Sequence, residues 1–285
     1  MRHVQHFGGF DPPPGLVDAP APPVVALVAT IVPAVCLLAL LVYAWRERRR
    51  TGPMLVPLLA GGTLCAVNEP IVDVLGKVWL RERDGVIAFH ELGRAVPLWA
   101  LFFTGLFWGG QVYLFYRLIR SNPSPKRYWQ VYGGVFLSAI VLEMPSTAFG
   151  LYDYFGAQPF NPTGYPLWWM FVYQSGIVVA AIICRRPDLF AGPRIVLAVV
   201  AVPTGELGFM MFSGAPIFLA LHSGAGLWVT SAAAIASACI AGFAVIQVGT
   251  YLVGQGPLQA FGLRPARPAP SVRAVAPADP ARAEA

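Results

Sequence analysis

Seven runs of predominantly apolar residues, at roughly 23–45, 53–76, 95–118, 128–149, 165–184, 194–214 and 225–249, take up most of this 285-residue chain. A bilayer hydrocarbon core of about 30 Å needs roughly 20 apolar residues per helix, and each run is close to that length or beyond it. Inside lipid, backbone groups find no water, so runs of this kind fold as helices whose hydrogen bonds close within the segment. Composition agrees, with 56% hydrophobic and only 12% charged residues, about half the charge of an ordinary soluble domain. The sequence therefore predicts an all-α integral membrane protein, a seven-transmembrane-helix bundle over 23–253. A polar, Pro-rich extracytoplasmic segment, 1–22, precedes it. The first run is too long for a signal-peptide core and follows no basic region, so it is expected to be retained. Residues 254–285, Pro- and Ala-rich with scattered charge, are expected to be a disordered cytoplasmic tail.

Orientation follows from the basic residues, because cytoplasmic loops carry the excess. Fifteen of the twenty Lys and Arg fall in 46–50, 117–127, 185–194 and 264–282, and the other five are Arg2, Lys77, Arg81, Arg83 and Arg94. An odd number of spans with the N terminus outside and the C terminus cytoplasmic satisfies this split, with the plasma membrane as the expected location. The net charge of +6 is then largely topogenic, and no nucleic acid partner is expected. Cys36, Cys65, Cys184 and Cys239 each sit in a different run with no CxxC pair and no His at ligand spacing, so they read as small buried apolar residues.

The runs are interrupted by acids. Glu69 and Asp73 stand in "LCAVNEPIVDVL", Glu143 in "IVLEMPSTAF" and Glu206 in "AVPTGELGFM", and each of the three glutamates has a proline within three residues. Counted from the cytoplasmic start of its helix, Glu69 lies about 25 Å along, Glu143 about 22 Å and Glu206 about 18 Å. All three fall in the outer half, in even-numbered spans that run the same way, so one pocket collects them. A carboxyl group there costs a few kcal/mol unless it faces a cavity or a partner, and such residues mark function. The plainer role is interhelical hydrogen bonding, or pairing with Arg94. Glu69 and Asp73, four residues apart, share a helix face. Two carboxyl groups this close in low dielectric share a proton rather than both ionising, and a retained proton is a usable acid. Asp73 also reads as a solvated residue at the outer interface beside Lys77.

The outer loop 150–171, "GLYDYFGAQPFNPTGYPLWWMF", gathers Tyr152, Tyr154, Phe155, Phe160, Tyr165, Trp168 and Trp169 around Asp153 and Gln158. That density exceeds an interfacial aromatic belt and predicts a structured cap over the acids, with ring faces able to stabilise a cation. Other chemistries lack their residues. A retinal Schiff base needs a lysine in the last run, and the only lysines are Lys77 and Lys126. Di-iron desaturases need His-rich boxes and a haem pair needs buried facing histidines, whereas His3 and His6 are terminal and His90 and His222 lie near the outer boundary. "NEPIVD" resembles half of a diphosphate-binding acidic pair but has no second copy. No metal ligands and no cofactor are expected.

The span count, the acid within "NEP" in span two, the further outer-half acids and the aromatic loop resemble the small seven-span integral membrane terpene cyclases of fungal meroterpenoid and indole-diterpene pathways and their actinobacterial counterparts. The resemblance covers about 25–250. It implies protonation-initiated cyclisation of a prenyl chain, olefin or epoxide, on a lipophilic substrate, with Glu69 as proton donor. The family's second acid lies late in the chain; span seven here has none, so that role passes to Glu206 or Glu143. Asp73 and Asn68 are expected to assist Glu69 by hydrogen bonding, and Asn68, Tyr152, Asp153, Tyr154, Phe155, Trp168 and Trp169 to contact the substrate. Carotenoid-pathway cyclases or hydratases use similar acid chemistry, and a proton-coupled transporter also lines its path with acids. A transporter would show acids at several depths or inverted repeats with broken helices.

Overall fold

The computed structural model describes residues 12–264. The chain is a helical membrane protein with two small β-ribbons. Among the described residues, five helices are long and apolar enough to cross a bilayer, and a bent pair of helices counts as a sixth if taken as one span. The long helices are α1 (Pro23–Arg46), the continuous Leu98–Arg120, α6 (Pro125–Ala148), α9 (Leu197–His222) and α10 (Leu227–Val253). The run at 165–184 is the exception: it yields two short helices, α7 (Trp169–Val172) and α8 (Ser175–Arg185), with a break at Tyr173 and Gln174.

The bent pair positions the site. α2 (Leu55–Leu64) tightens into a 3₁₀ turn, Cys65–Val67, and α3 (Glu69–Gly76) leaves it at 49°. Pro70 explains the break, since it has no N–H to offer the carbonyl of Ala66 and so suits the first turn of a new helix rather than the continuation of α2. α2 is itself held by close crossing. The span Leu98–Arg120 comprises α4 (Leu98–Thr104), a π-helical turn Gly105–Gly109, and α5 (Gly110–Arg120). At the π turn Gly109 meets α2: a Cβ on Gly62 would lie 2.3 Å from the Gly109 nitrogen, and one on Gly109 would lie 2.5 Å from the Leu58 oxygen. Small residues let backbones touch, and a π turn re-aims the side chains around it.

At the end of the bundle where α3 and α6 finish, β1 (Val78–Leu80) pairs antiparallel with β4 (Tyr152–Tyr154), Trp79 opposite Asp153. The segments that follow α3 and α6 therefore meet at one end. β2 (Ile87–Glu91) and β3 (Arg94–Pro97) form a second, adjacent hairpin, and the Ala21 N–H donates to the Arg83 carbonyl, tying the approach to α1 to this cap. Residues 257–260 make a helical turn, and Trp129 Nε1 donates to the Gln255 carbonyl, so residues 254–264 pack on α6 instead of trailing free. The expectations for 1–11 and 265–285 fall outside the described residues. Of the cysteines only Cys65 is buried; Cys184 is half-buried, and Cys36 and Cys239 are exposed on the apolar surface.

Candidate functional site

A cavity of about 290 Å³ lies at the capped end, bounded by α1, α3, α4, α6, α9 and the β1–β4 ribbon. Glu69 and Asp73 of α3, Glu143 of α6 and Glu206 of α9 all line it. Asp73, Glu143 and Glu206 are buried, at 3%, 5% and 2% exposure, so Asp73 is a wall residue of the cavity and not a solvated interfacial one. The surrounding wall is apolar and aromatic: Trp99, Phe103 and Phe107 from the α4 span, Tyr152 and Tyr154 from β4, Trp169 from α7, and Tyr173. These rings contact one another in series, with centroid separations of 6.1 Å for Trp99–Tyr152, 5.6 Å for Phe103–Phe107, 5.7 Å for Phe107–Tyr173 and 5.2 Å for Trp169–Tyr173.

Each acid has a different immediate environment. Glu143 accepts from the Tyr152 hydroxyl in a short hydrogen bond and from the Tyr154 hydroxyl at 3.4 Å, both on Oε2. Burial, together with the Glu143 charge, pushes both phenols well above their ordinary range, with Tyr173 adding to the effect on Tyr154. They remain protonated donors, and two donors converging on one oxygen suit a carboxylate. Glu206 accepts from Asn68 Nδ2 at 2.5 Å, and the same amide donates to the Pro203 carbonyl at 2.9 Å. Asn68 sits at the bend before α3, which is what turns its amide toward α9. The amide expected to serve Glu69 thus serves Glu206. Asp73 Oδ2 is buried without a hydrogen-bond partner, and the charge of buried Arg94 acts on it. Among the described residues no three His, Cys, Asp or Glu side chains come together in an arrangement able to hold a metal ion.

Four expected substrate contacts stand off the cavity wall. Asn68 lies behind Glu206, as above. Asp153 closes a two-pronged ion pair with Arg81, Nε to Oδ2 at 2.7 Å and Nη2 to Oδ1 at 3.1 Å, beside the β1–β4 ribbon. Phe155 continues the ribbon, its N–H donating to the Lys77 carbonyl at 3.0 Å. Trp168 stacks behind Trp169 at 4.4 Å and donates through Nε1 to Gln158 Oε1. Asp153→Asn is accordingly expected to leave turnover unchanged and to cost at most about 1 kcal/mol, the scale of a partly exposed ion pair; thermal unfolding of the detergent-purified protein measures it.

Comparison with protein-family models, curated proteins and solved structures gives no match for this chain. The site therefore rests on its own geometry. Sequence reading overlooked Trp99, Phe103, Phe107 and Tyr173, although the first three recur every fourth residue and so share one helix face.

Proposed function

We propose that the protein is a membrane-bound terpene cyclase that closes rings on a prenyl chain by acid–base chemistry. The observation that carries the reading is one apolar cavity in which four carboxyl groups face a wall of aromatic rings. Seven crossings follow if the bent α2–α3 pair and the α7–α8 stretch each count as one, with the N terminus outside the plasma membrane and the C terminus in the cytoplasm, the arrangement the basic loops favour.

In this reaction Glu69, which lines the cavity, gives its proton to the terminal olefin carbon or epoxide oxygen of the chain. The π electrons of the neighbouring double bond then attack the cationic carbon and form the ring bond. Positive charge travels past Trp99, Phe107 and Trp169, whose faces stabilise it without reacting with it as water would. Glu143, held by two phenols, accepts the final C–H proton and leaves a new double bond, so for an olefin the net change is an isomerisation. Glu206 with Asn68 supplies a second carboxylate close to the donor, which the Asn68 amide keeps oriented.

The test is product formation from lipophilic arenes carrying a prenyl chain, with terminal olefin or terminal epoxide, by protein in detergent. A transporter needs a gradient and would form no product there; absence of any cyclised or hydrated product from such a panel defeats the proposal. A hydrated, uncyclised product would instead favour the carotenoid-hydratase type of chemistry. Asn68→Ala is expected to slow turnover about 10- to 100-fold, the scale of a lost hydrogen bond to a charged group. Single-turnover rates measure this, and an unchanged rate would leave Glu206 without a role.

A further inference from the structure

Some side chains that line the cavity also face outward. Val28 and Val32 of α1 are each 53% exposed, and Leu142 of α6 and Phe149, just past its C-terminal end, are 40% and 64% exposed, yet all four border the cavity. A residue that is both cavity wall and outer surface marks the rim of an opening. The packing of the two helices places the opening between them. α1 lies on α4 and α2, whereas α6 lies on α10, α5 and the α7 turn. The four rim side chains are apolar, and α1 presents Val24, Leu27 and Ile31 outward, each at least half exposed. Such a surface is compatible with hydrocarbon and hostile to ions. At about 290 Å³ the cavity is at the low end of those that enclose a whole drug-sized ligand, so it holds the end of a long chain better than an entire prenylated molecule.

We infer that the cavity is loaded sideways from the bilayer through the gap between α1 and α6, chain end first, so that the terminal isoprene units meet the acids while the head group stays outside in the membrane. The identity of the chain rests on the proposed cyclase function; the lateral opening does not. Tail-first loading also selects at the reacting end of the substrate and tolerates variation at its head.

Thiol labelling in proteoliposomes tests the opening without needing turnover. Thr104 lines the cavity and is only 2% exposed, and Thr104→Cys is close to isosteric. In a parent with Cys36, Cys184 and Cys239 replaced and the sealed Cys65 retained as the blank, this thiol is expected to react with a long-chain alkyl maleimide dissolved in the bilayer. A charged methanethiosulfonate should react about 100-fold more slowly, because a charge pays several kcal/mol to enter hydrocarbon. Val32→Trp, filling the rim, should slow the maleimide about tenfold, and Val35→Trp, on the same helix away from the cavity, should not. Ala100→Cys, one turn earlier in α4 and likewise a cavity-lining residue only 2% exposed, repeats the measurement if Thr104→Cys fails to insert. No labelling at either position, equal labelling by the charged reagent, or indifference to Val32→Trp overturns the lateral opening. Labelling as described in a protein that forms no cyclic product keeps the opening and removes the cyclase.

Discussion

Glu69→Gln is expected to lower product formation on the order of 10³-fold, within the range that a positioned proton donor contributes, while the protein stays folded and inserted. An amide keeps the shape of the carboxyl group and donates hydrogen bonds, but it has no proton acid enough to protonate an olefin or epoxide. Burial does not suffer, because the replacement conserves volume and removes an ionisable group from low dielectric. Among the four acids the prediction is specific to Glu69. Asn68 occupies one oxygen of Glu206 and two phenols occupy one oxygen of Glu143. Asp73 is buried under the influence of Arg94. Glu69 faces the cavity from the first turn of α3. Asp73→Asn should be milder, since Asp73 acts on the neighbouring acid and not on the chain itself. The comparison must be made in detergent, so that a transport defect cannot imitate a chemical one. Retention of most activity by Glu69→Gln would move the donor role elsewhere in the cavity.

The parts of this site that are legible in the sequence are those fixed by depth. Distance along a helix follows from residue count, so counting alone puts Glu69, Glu143 and Glu206 at a common level and the 150–171 loop above them. Facing is harder to read. In water a helix shows its buried side by apolar periodicity, but in lipid the outer side is as apolar as the packed side. Nothing in the run at 23–45 tells that Val28 and Val32 border a cavity while Val35 does not. Long-range partners are equally hidden: Asn68 meets Glu206 across 138 residues because Pro70 bends the chain at that point, and an adjacent acid, Glu69, is the nearer partner in sequence. Asp153 reads as a loop acid beside aromatics, and its partner Arg81 lies in another loop, brought alongside by the β1–β4 ribbon. The break between α7 and α8 falls at Tyr173 and Gln174, where no proline or glycine announces it.

The largest structural effect is expected from one methyl group at Gly62. A Cβ there would lie 2.3 Å from the Gly109 nitrogen, 2.7 Å from its Cα and 2.8 Å from the Gly105 oxygen. These are all backbone atoms of the π turn, so no side chain can rotate away; α2 and the α4–α5 span must separate. Gly62→Ala is therefore expected to cost about 3 kcal/mol, the upper part of the range for overpacking. It should also reduce turnover, because α3, which carries Glu69 and Asp73, continues from the displaced end of α2. Gly110→Ala is the control. It lies one residue beyond the same π turn with nothing within 4 Å of its added Cβ, so it should be neutral or stabilising by up to about 1 kcal/mol, since alanine restricts the unfolded chain. Thermal unfolding in one detergent, read with turnover at a temperature where both variants remain folded, separates the two consequences. If Gly62→Ala unfolds with the wild type, the close crossing does not hold α2 in place; if it is destabilised yet turns over normally, the crossing holds the bundle without positioning Glu69.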